Sequence, residues 1–327
     1  MINKIIISII SFFILCNIAV ANTFEFETKN IEIITETNKI ITGKGKALSS
    51  DGNLEINADK FEYLKDLDLL KSNGNGEVLI KSKKLKINFN NAIIDQKNFT
   101  IRANGNVIIN QTDKKFFIET ENIFYDQFND LINSTTKTVL KDNFNNTYIV
   151  DSFIFEINKN LLKVNNLTYK DKDKNIIKTE LAYINTASGK LFGKDVNIDF
   201  NNSSFDKKNE PRLKANSITS DKNVSELTKG VFTTCKKRDD CPPWEITAEK
   251  IQHDKDKKVI SYDKALLKIY DFPVMYFPKF FHPDPTVKRQ SGFLIPTIKN
   301  SSTSDNYLNT PYFLAIAENK DATLSPR

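Results

Sequence analysis

DFPVMYFPKFFHPDPTVKRQSGFLIP, residues 271–296, decides how the rest of the chain is read. Pro273, Pro278, Pro283, Pro285 and Pro296 each lack a backbone donor, so this stretch cannot lie inside a continuous central sheet and is expected as a connection or an edge. It separates two kinds of sequence. Upstream run short alternating segments rich in Asn, Lys and Ile, and downstream the segments lengthen. Leu308, Tyr312, Leu314 and Ile316 share one parity, as do Ala322, Leu324 and Pro326. Alternating segments of ~10 residues joined by a polar turn suit transmembrane β-strands and soluble hairpins alike.

At the other end, Lys4 precedes an apolar run from Ile5 to Val20, and Ala19-Val20-Ala21 has the form of a cleavage site. Residues 1–21 therefore read as a secretory signal peptide, too short for a spanning helix. No later segment reaches spanning-helix length, so a membrane role would fall to strands. The formal net charge of +6 is mild for 327 residues. Lysines alternate with acids, as in Lys170-Asp171-Lys172-Asp173-Lys174, and nucleic-acid binding is not expected without a basic cluster or an aromatic platform.

Within residues 40–270 one supersecondary unit recurs. The apolar anchors Val78, Val107, Val139, Leu167, Val196 and Val231 return at intervals of roughly 30 residues. Each unit holds short runs of period two between Asn, Asp, Gly or Lys turns: Leu54, Ile56 and Ala58; Leu85, Ile87 and Phe89; Val196, Ile198 and Phe200. Repeated short strands with one apolar face stack on their neighbours, which predicts an all-β, elongated open jelly-roll. Its interior is either an ordinary packed core or a trough that a lipid would fill. The first strand, Phe24 to Ile34, is expected to present an unpaired edge or to be a disordered terminus.

Without the signal the cysteines are Cys235 and Cys241, which in an oxidising compartment most simply pair with each other. Their spacing, with His253 beyond, matches no zinc site. His282, between Phe281 and Pro283, reads as a packed or solvated ring. Neither a nucleophile motif nor a phosphate-binding glycine loop is present, so no catalytic residue, metal or cofactor is assigned and no enzyme is expected.

Three stretches carry a resemblance: FPVMYFPKFFHPDP, KRQSGFLIP at Lys288 to Pro296, and TPYFLAIAENKDATLSPR at Thr310 to Arg327. They are similar to the outer-membrane lipopolysaccharide-assembly proteins, formerly called organic-solvent-tolerance proteins. The resemblance is dense over residues 265–327 and architectural before that. It implies a periplasmic jelly-roll over 22–270, a junction over 271–287, and the first strands of a transmembrane barrel from 288, in a protein whose barrel needs many more strands. The jelly-roll would be a trough for lipid A chains lined by Ile56, Phe61, Val78, Ile80, Ile87, Val107, Ile109, Ile118, Phe155, Val196 and Ile198. Further implications are a lateral gate flanked by Pro296 and Pro311, strand addition of a soluble periplasmic bridge protein at the first edge, and a lipoprotein plugging the barrel. The family's disulfides tie the periplasmic domain to the barrel, so the partner of Cys235 stays open. The alternatives are a soluble periplasmic bridge protein and a β-solenoid adhesin or surface structural protein.

Overall fold

A computed structural model describes residues 24–111, 116–141, 146–170, 174–201, 209–237, 242–283, 287, 289, 291–294, 296–299, 307–317 and 319–326. The expected signal peptide lies outside these. Two compact units divide the chain, residues 1–162 and 163–327. Among the described residues there is no α-helix, and every ladder specified below is antiparallel.

The first unit contains β1 (Phe24–Thr28), β2 (Ile31–Ile34), β3 (Lys39–Thr42), β4 (Gly45–Ser49), β5 (Leu54–Ala58), β6 (Lys60–Leu64) and β7 (Leu69–Ile80). It continues with β8 (Leu85–Asp95), β9 (Thr100–Gln111), β10 (Phe116–Asp126), β11 (Leu131–Ser134), β12 (Thr138–Lys141), β13 (Thr147–Val150) and β14 (Ser152–Glu156). Strand β15 (Leu161–Lys170) begins at the boundary. The expected single strand from Phe24 to Ile34 is in fact two, broken at Lys29-Asn30: β1 pairs with β4, and β2 with β3.

That break belongs to a pattern. Long strands slip register near their middles, between Asn73 and Gly76, between Asn88 and Asn91, and between Thr120 and Asn122. Shorter strands stop at the same level, β5 and β6 either side of Asp59 and β13 and β14 either side of Asp151. In β7 the turn of the backbone is made by Gly74 at φ 75° and Asn75 at φ 32°, residues that tolerate the left-handed region. A β-bulge bends a strand and raises its twist, so a column of bulges folds the whole sheet over along one line.

The strand ends are joined by stacked turns. Asn38, Asp68, Phe99, Asp130 and Asn160 each take a positive φ, between 46° and 54°, at the same place in successive turns. From there the carbonyls of Asn38, Asp68, Phe99 and Asp130 accept the backbone N–H of Lys65, Gln96, Gln127 and Ile157 at 2.9 to 3.1 Å. One rim of the sheet is therefore a hydrogen-bonded ladder of turns with a period near 30 residues. Lys83 sits in the turn at the opposite end of β7 and β8. Its Nζ nevertheless donates to Asp130 Oδ2 at 2.7 Å and to Asn158 Oδ1 at 2.9 Å on the first rim. A straight strand the length of β7 would hold the two rims about 40 Å apart. The contact requires the strand halves to fold back on each other.

The second unit is a meander of β16 (Ile176–Asn185), β17 (Leu191–Asp199), β18 (Arg212–Ser220), β19 (Val224–Thr233), β20 (Trp244–Asp254), β21 (Val259–Ile269) and β22 (Phe272–Pro283). It has mid-strand residues of positive φ at Asp195, Lys229 and Lys264. Lys229 shifts side-chain parity just before Val231. The anchors Val139, on β12 of the first unit, and Val231 are only half-buried, and their neighbours Leu140 and Phe232 continue the inward rows. The stretch 271–287, expected as a junction, is a strand over Phe272–Pro283. Its prolines are accommodated because, among the described residues, β22 pairs on one side only, with β21. Beyond it come β23 (Gly292–Phe293), β24 (Thr297–Lys299), β25 (Tyr307–Asn309), β26 (Tyr312–Ala317) and β27 (Lys320–Leu324).

Outward faces of the first unit carry cross-strand ion pairs. Lys39 and Lys71 flank Glu62, and Lys46 and Lys81 flank Glu55. The hydrogen bond from Lys39 holds the Glu62 carboxyl below its ordinary value, as Lys46 and then Lys81 do for Glu55. Carboxylates depressed in the folded state give stability that is complete above the ordinary glutamate value of 4.5 and is lost as pH falls through the lowered folded value. Such exposed pairs are worth ~0–1 kcal/mol each. Acid titration should therefore lower the urea midpoint below pH 4.5 in the wild type, and by less in a Glu55→Gln/Glu62→Gln variant. Equal acid sensitivity in both proteins would contradict this assignment.

Candidate functional site

Alternation puts every second residue of a strand on one face, and register then aligns those residues across the sheet. In the first unit one inward row runs Phe26, Ala47, Ile56, Val78, Ile87, Ile109, Ile118, Leu140, Tyr148 without interruption. Five of the eleven residues expected to line a trough fall in it. Ile80 is in the next row with Leu54 and Leu85. On the other side of the fold line, Tyr63, Leu70, Ile94, Ile101, Tyr125, Ile132 and Phe155 form a second continuous row. Phe61 opposes Ser72 one row nearer the fold line, and Val107 opposes Thr120 beside it. In the second unit, Ile177, Ile198, Leu213, Phe232, Ile246, Leu267 and Met275 form a further row, and Val196 opposes Ala215.

All eleven expected residues are buried, none more than 7% exposed. The two halves of the first unit meet: the Phe24 ring stands edge-on to Tyr63 with centroids 5.5 Å apart, and Phe26 lies 5.9 Å from Phe61. Strands β1 and β6 are not ladder neighbours, so these are contacts across the interior. Small residues gather where the halves converge, Ser72, Ala92 and Ala103 in one row. Thr120, Ser134, Thr136 and Thr138 satisfy one another's hydroxyls there at 2.9 to 3.1 Å. A hydroxyl buried in an apolar interior must find such a partner.

Burial declines towards the end of the second unit. Its buried cluster includes Val196, Leu213, Ile218, Leu227, Ile251 and Tyr262, with Ile246, Phe277 and Phe280 only partly covered. Phe272, Val274, Met275, Tyr276 and Phe281 on β22 are exposed. The innermost row near one rim turns polar, Ser220, Ser225, His253, Ile260, His282. His282 Nε2 lies 3.0 Å from the Tyr262 hydroxyl and Nδ1 2.6 Å from the Pro283 carbonyl. An N–H on Nδ1 then donates to Pro283, leaving Nε2 to accept from Tyr262. Burial pushes the Tyr262 phenol well above its ordinary value, which keeps it a donor.

Cys235 sits half-buried just beyond β19, its N–H donating to Thr233 Oγ1 at 3.2 Å and its carbonyl accepting from Arg212. Cys241 lies outside the described residues. Pro296 follows β23 and Pro311 precedes β26, in two segments that pair with each other. The ladder there splits into Gly292–Phe313 with Phe293–Tyr312 and Thr297–Asn309 with Ile298–Leu308. The Pro311 carbonyl accepts the N–H of Leu294 at 2.8 Å.

The chain is an all-β jelly-roll, and its first unit carries continuous apolar inner rows. No protein-family model matches the chain. Among curated proteins it is similar to LPS-assembly protein LptD of Polaromonas sp., 38% identical over 98 residues, 29% of this chain and 12% of the relative. LPS-assembly protein LptD of Ralstonia nicotianae is 39% identical over 107 residues, 33% and 13% of the two lengths, and that of Yersinia pestis 37% over 100 residues, 31% and 12%. Over about 30% of its length the chain is therefore similar to LptD proteins. The matched stretches span only 12% to 13% of these relatives.

Proposed function

We propose that this chain is the periplasmic part of a lipopolysaccharide transport protein of the outer membrane, with no enzymatic activity. Acyl chains of the lipid occupy the interior between the folded strand halves. The observation that carries this reading is the row from Phe26 to Tyr148, nine inward side chains of which eight are aliphatic or aromatic and larger than alanine. An uninterrupted apolar track running across the strands suits a chain that slides, because no position along it traps a methylene group. The interior is closed to water when empty, so acyl chains enter by parting the halves. Energy for transport comes from elsewhere.

The same reading makes residues 1–21 an export signal and assigns the strands after 288 to the start of a barrel. The break at Pro296 and Pro311 is a seam where lipid leaves sideways, since each proline removes a ladder donor. The edges of β1 and β2 receive a strand from a soluble bridge protein, and a lipoprotein fills the barrel. The bridge-protein and adhesin readings are less favoured by the likeness to LptD. Two measurements test the proposal. Lipid extracted from the purified chain, after exposure to lipopolysaccharide, should contain its acyl chains. In the full-length protein, Pro296→Ala/Pro311→Ala should lower surface lipopolysaccharide several-fold and raise antibiotic sensitivity. An empty extract would refute the trough, and unchanged surface lipid would refute the seam.

A further inference from the structure

Lys83 and Asp130 lie in turns on the two opposite rims of the first unit, 47 positions apart in sequence. The Lys83 ammonium reaches Asp130 Oδ2 at 2.7 Å and Asn158 Oδ1 at 2.9 Å, and the Asn158 amide donates back to the same carboxylate oxygen. Tyr125, buried in the inner row beside the first rim, donates its hydroxyl to Asp130 Oδ1 at 3.3 Å. Asp130 is 9% exposed and its carbonyl is already held in the ladder of turns. The carboxylate is thus fixed in position by the first rim, and the lysine is the arm that crosses from the second. Charge-assisted bonds of this kind are short and directional.

The neighbouring turn residues behave otherwise. Lys81 pairs with Glu55 at 3.2 Å on its own side of the fold line, and the Ser82 N–H donates to Asn53 Oδ1 in the adjacent turn of the same rim. Lys65, Gln96, Gln127 and Ile157 bind along the first rim. Among these turn contacts only Lys83 ties one rim to the other. It spans the side opposite the fold line, where two folded-over sheet halves would have to separate to admit a molecule into the interior.

We propose that Lys83, Asp130 and Asn158 form a latch that controls lateral entry of acyl chains into the first unit. The latch rests on the reading of the interior as an acyl site and adds its regulation. Opening it exchanges the ion pair for hydration of both groups while the apolar rows behind stay intact, so it lowers the barrier to entry without removing the site. The geometry distinguishes the roles: Asp130 and Asn158 are positioned by their own rim, and Lys83 moves.

The test uses the whole chain and cis-parinaric acid, a fluorescent fatty acid, with stopped-flow entry and equilibrium affinity measured separately. Lys83→Gln should speed entry about ten- to a hundredfold, the order expected from losing a partly buried charged hydrogen bond, and Lys83→Arg should restore the slow rate. Lys81→Gln, which removes a lysine from the same turn without touching the other rim, should leave the rate unchanged. Equal acceleration by Lys81→Gln and Lys83→Gln would show general loosening and overturn the latch, as would an unchanged rate in Lys83→Gln with normal binding. No fluorescence change in any protein would instead overturn the acyl interior itself.

Discussion

Ile87→Asp unfolds the first unit. Ile87 is fully buried near the start of β8, between Val78 and Ile109 in the inner row, and no cation lies in that row to pair with a new carboxylate. The substitution loses roughly 2–3 kcal/mol of apolar burial and adds several more for an unpaired polar or charged group. The sum approaches the whole stability of a domain, ~5–15 kcal/mol. Ile93 on the same strand faces outward and is 37% exposed. Ile93→Asp should stay within about 1 kcal/mol of wild type, because surface changes seldom cost more. Urea unfolding with hydrogen exchange on β7–β10 reads both. Comparable damage from the two substitutions would mean that the rows are not one-sided, and the interior would have to be redrawn.

Phe61→Ala costs about 3–5 kcal/mol, the range for truncating a buried aromatic side chain to alanine. Phe61 is buried on β6 and meets Phe26 across the interior, so its loss leaves a cavity between the halves and not within one of them. Phe128, in a turn of the stacked rim, is 84% exposed, and Phe128→Ala should be nearly silent. Filling the cavity should recover stability: a bound fatty acid should raise the melting temperature of Phe61→Ala by more than that of wild type. Destabilisation without any such ligand effect would make the space between the halves an ordinary core.

The assignment of β22 to the sheet shows what prolines leave open in a sequence. Pro273, Pro278 and Pro283 forbid a central strand, and the sequence could not say whether the consequence was a loop or an edge. The structure chooses the edge, since a strand bonded on one side tolerates a missing donor on the other. The parity errors at Val139 and Val231 have the same origin as the period that exposed the repeat. Val231 sits just past the left-handed residue Lys229, and Val139 lies in a strand that starts afresh after residues 135–137, so counting by two across either point inverts inside and outside. Tyr63, Leu70, Ile94, Ile101, Tyr125 and Ile132 make an entire wall that the alternation followed from the other side of each bend does not reach. A recoverable signal was present: Tyr63 and Tyr125 each precede by five residues an Asp of positive φ whose carboxylate accepts the phenol.

By itself the sequence determined that the chain is all-β, repeats at about 30 residues and turns one apolar face inward. Period-two alternation and turn composition are local properties, written within a few residues of where they act. Which half of each strand faces which, that the halves close on each other, and that Lys83 reaches Asp130 were decided only by the tertiary structure. Those depend on a column of bulges summing their bends and on register carried through successive ladders. No single segment encodes either quantity, because each is a relation between strands.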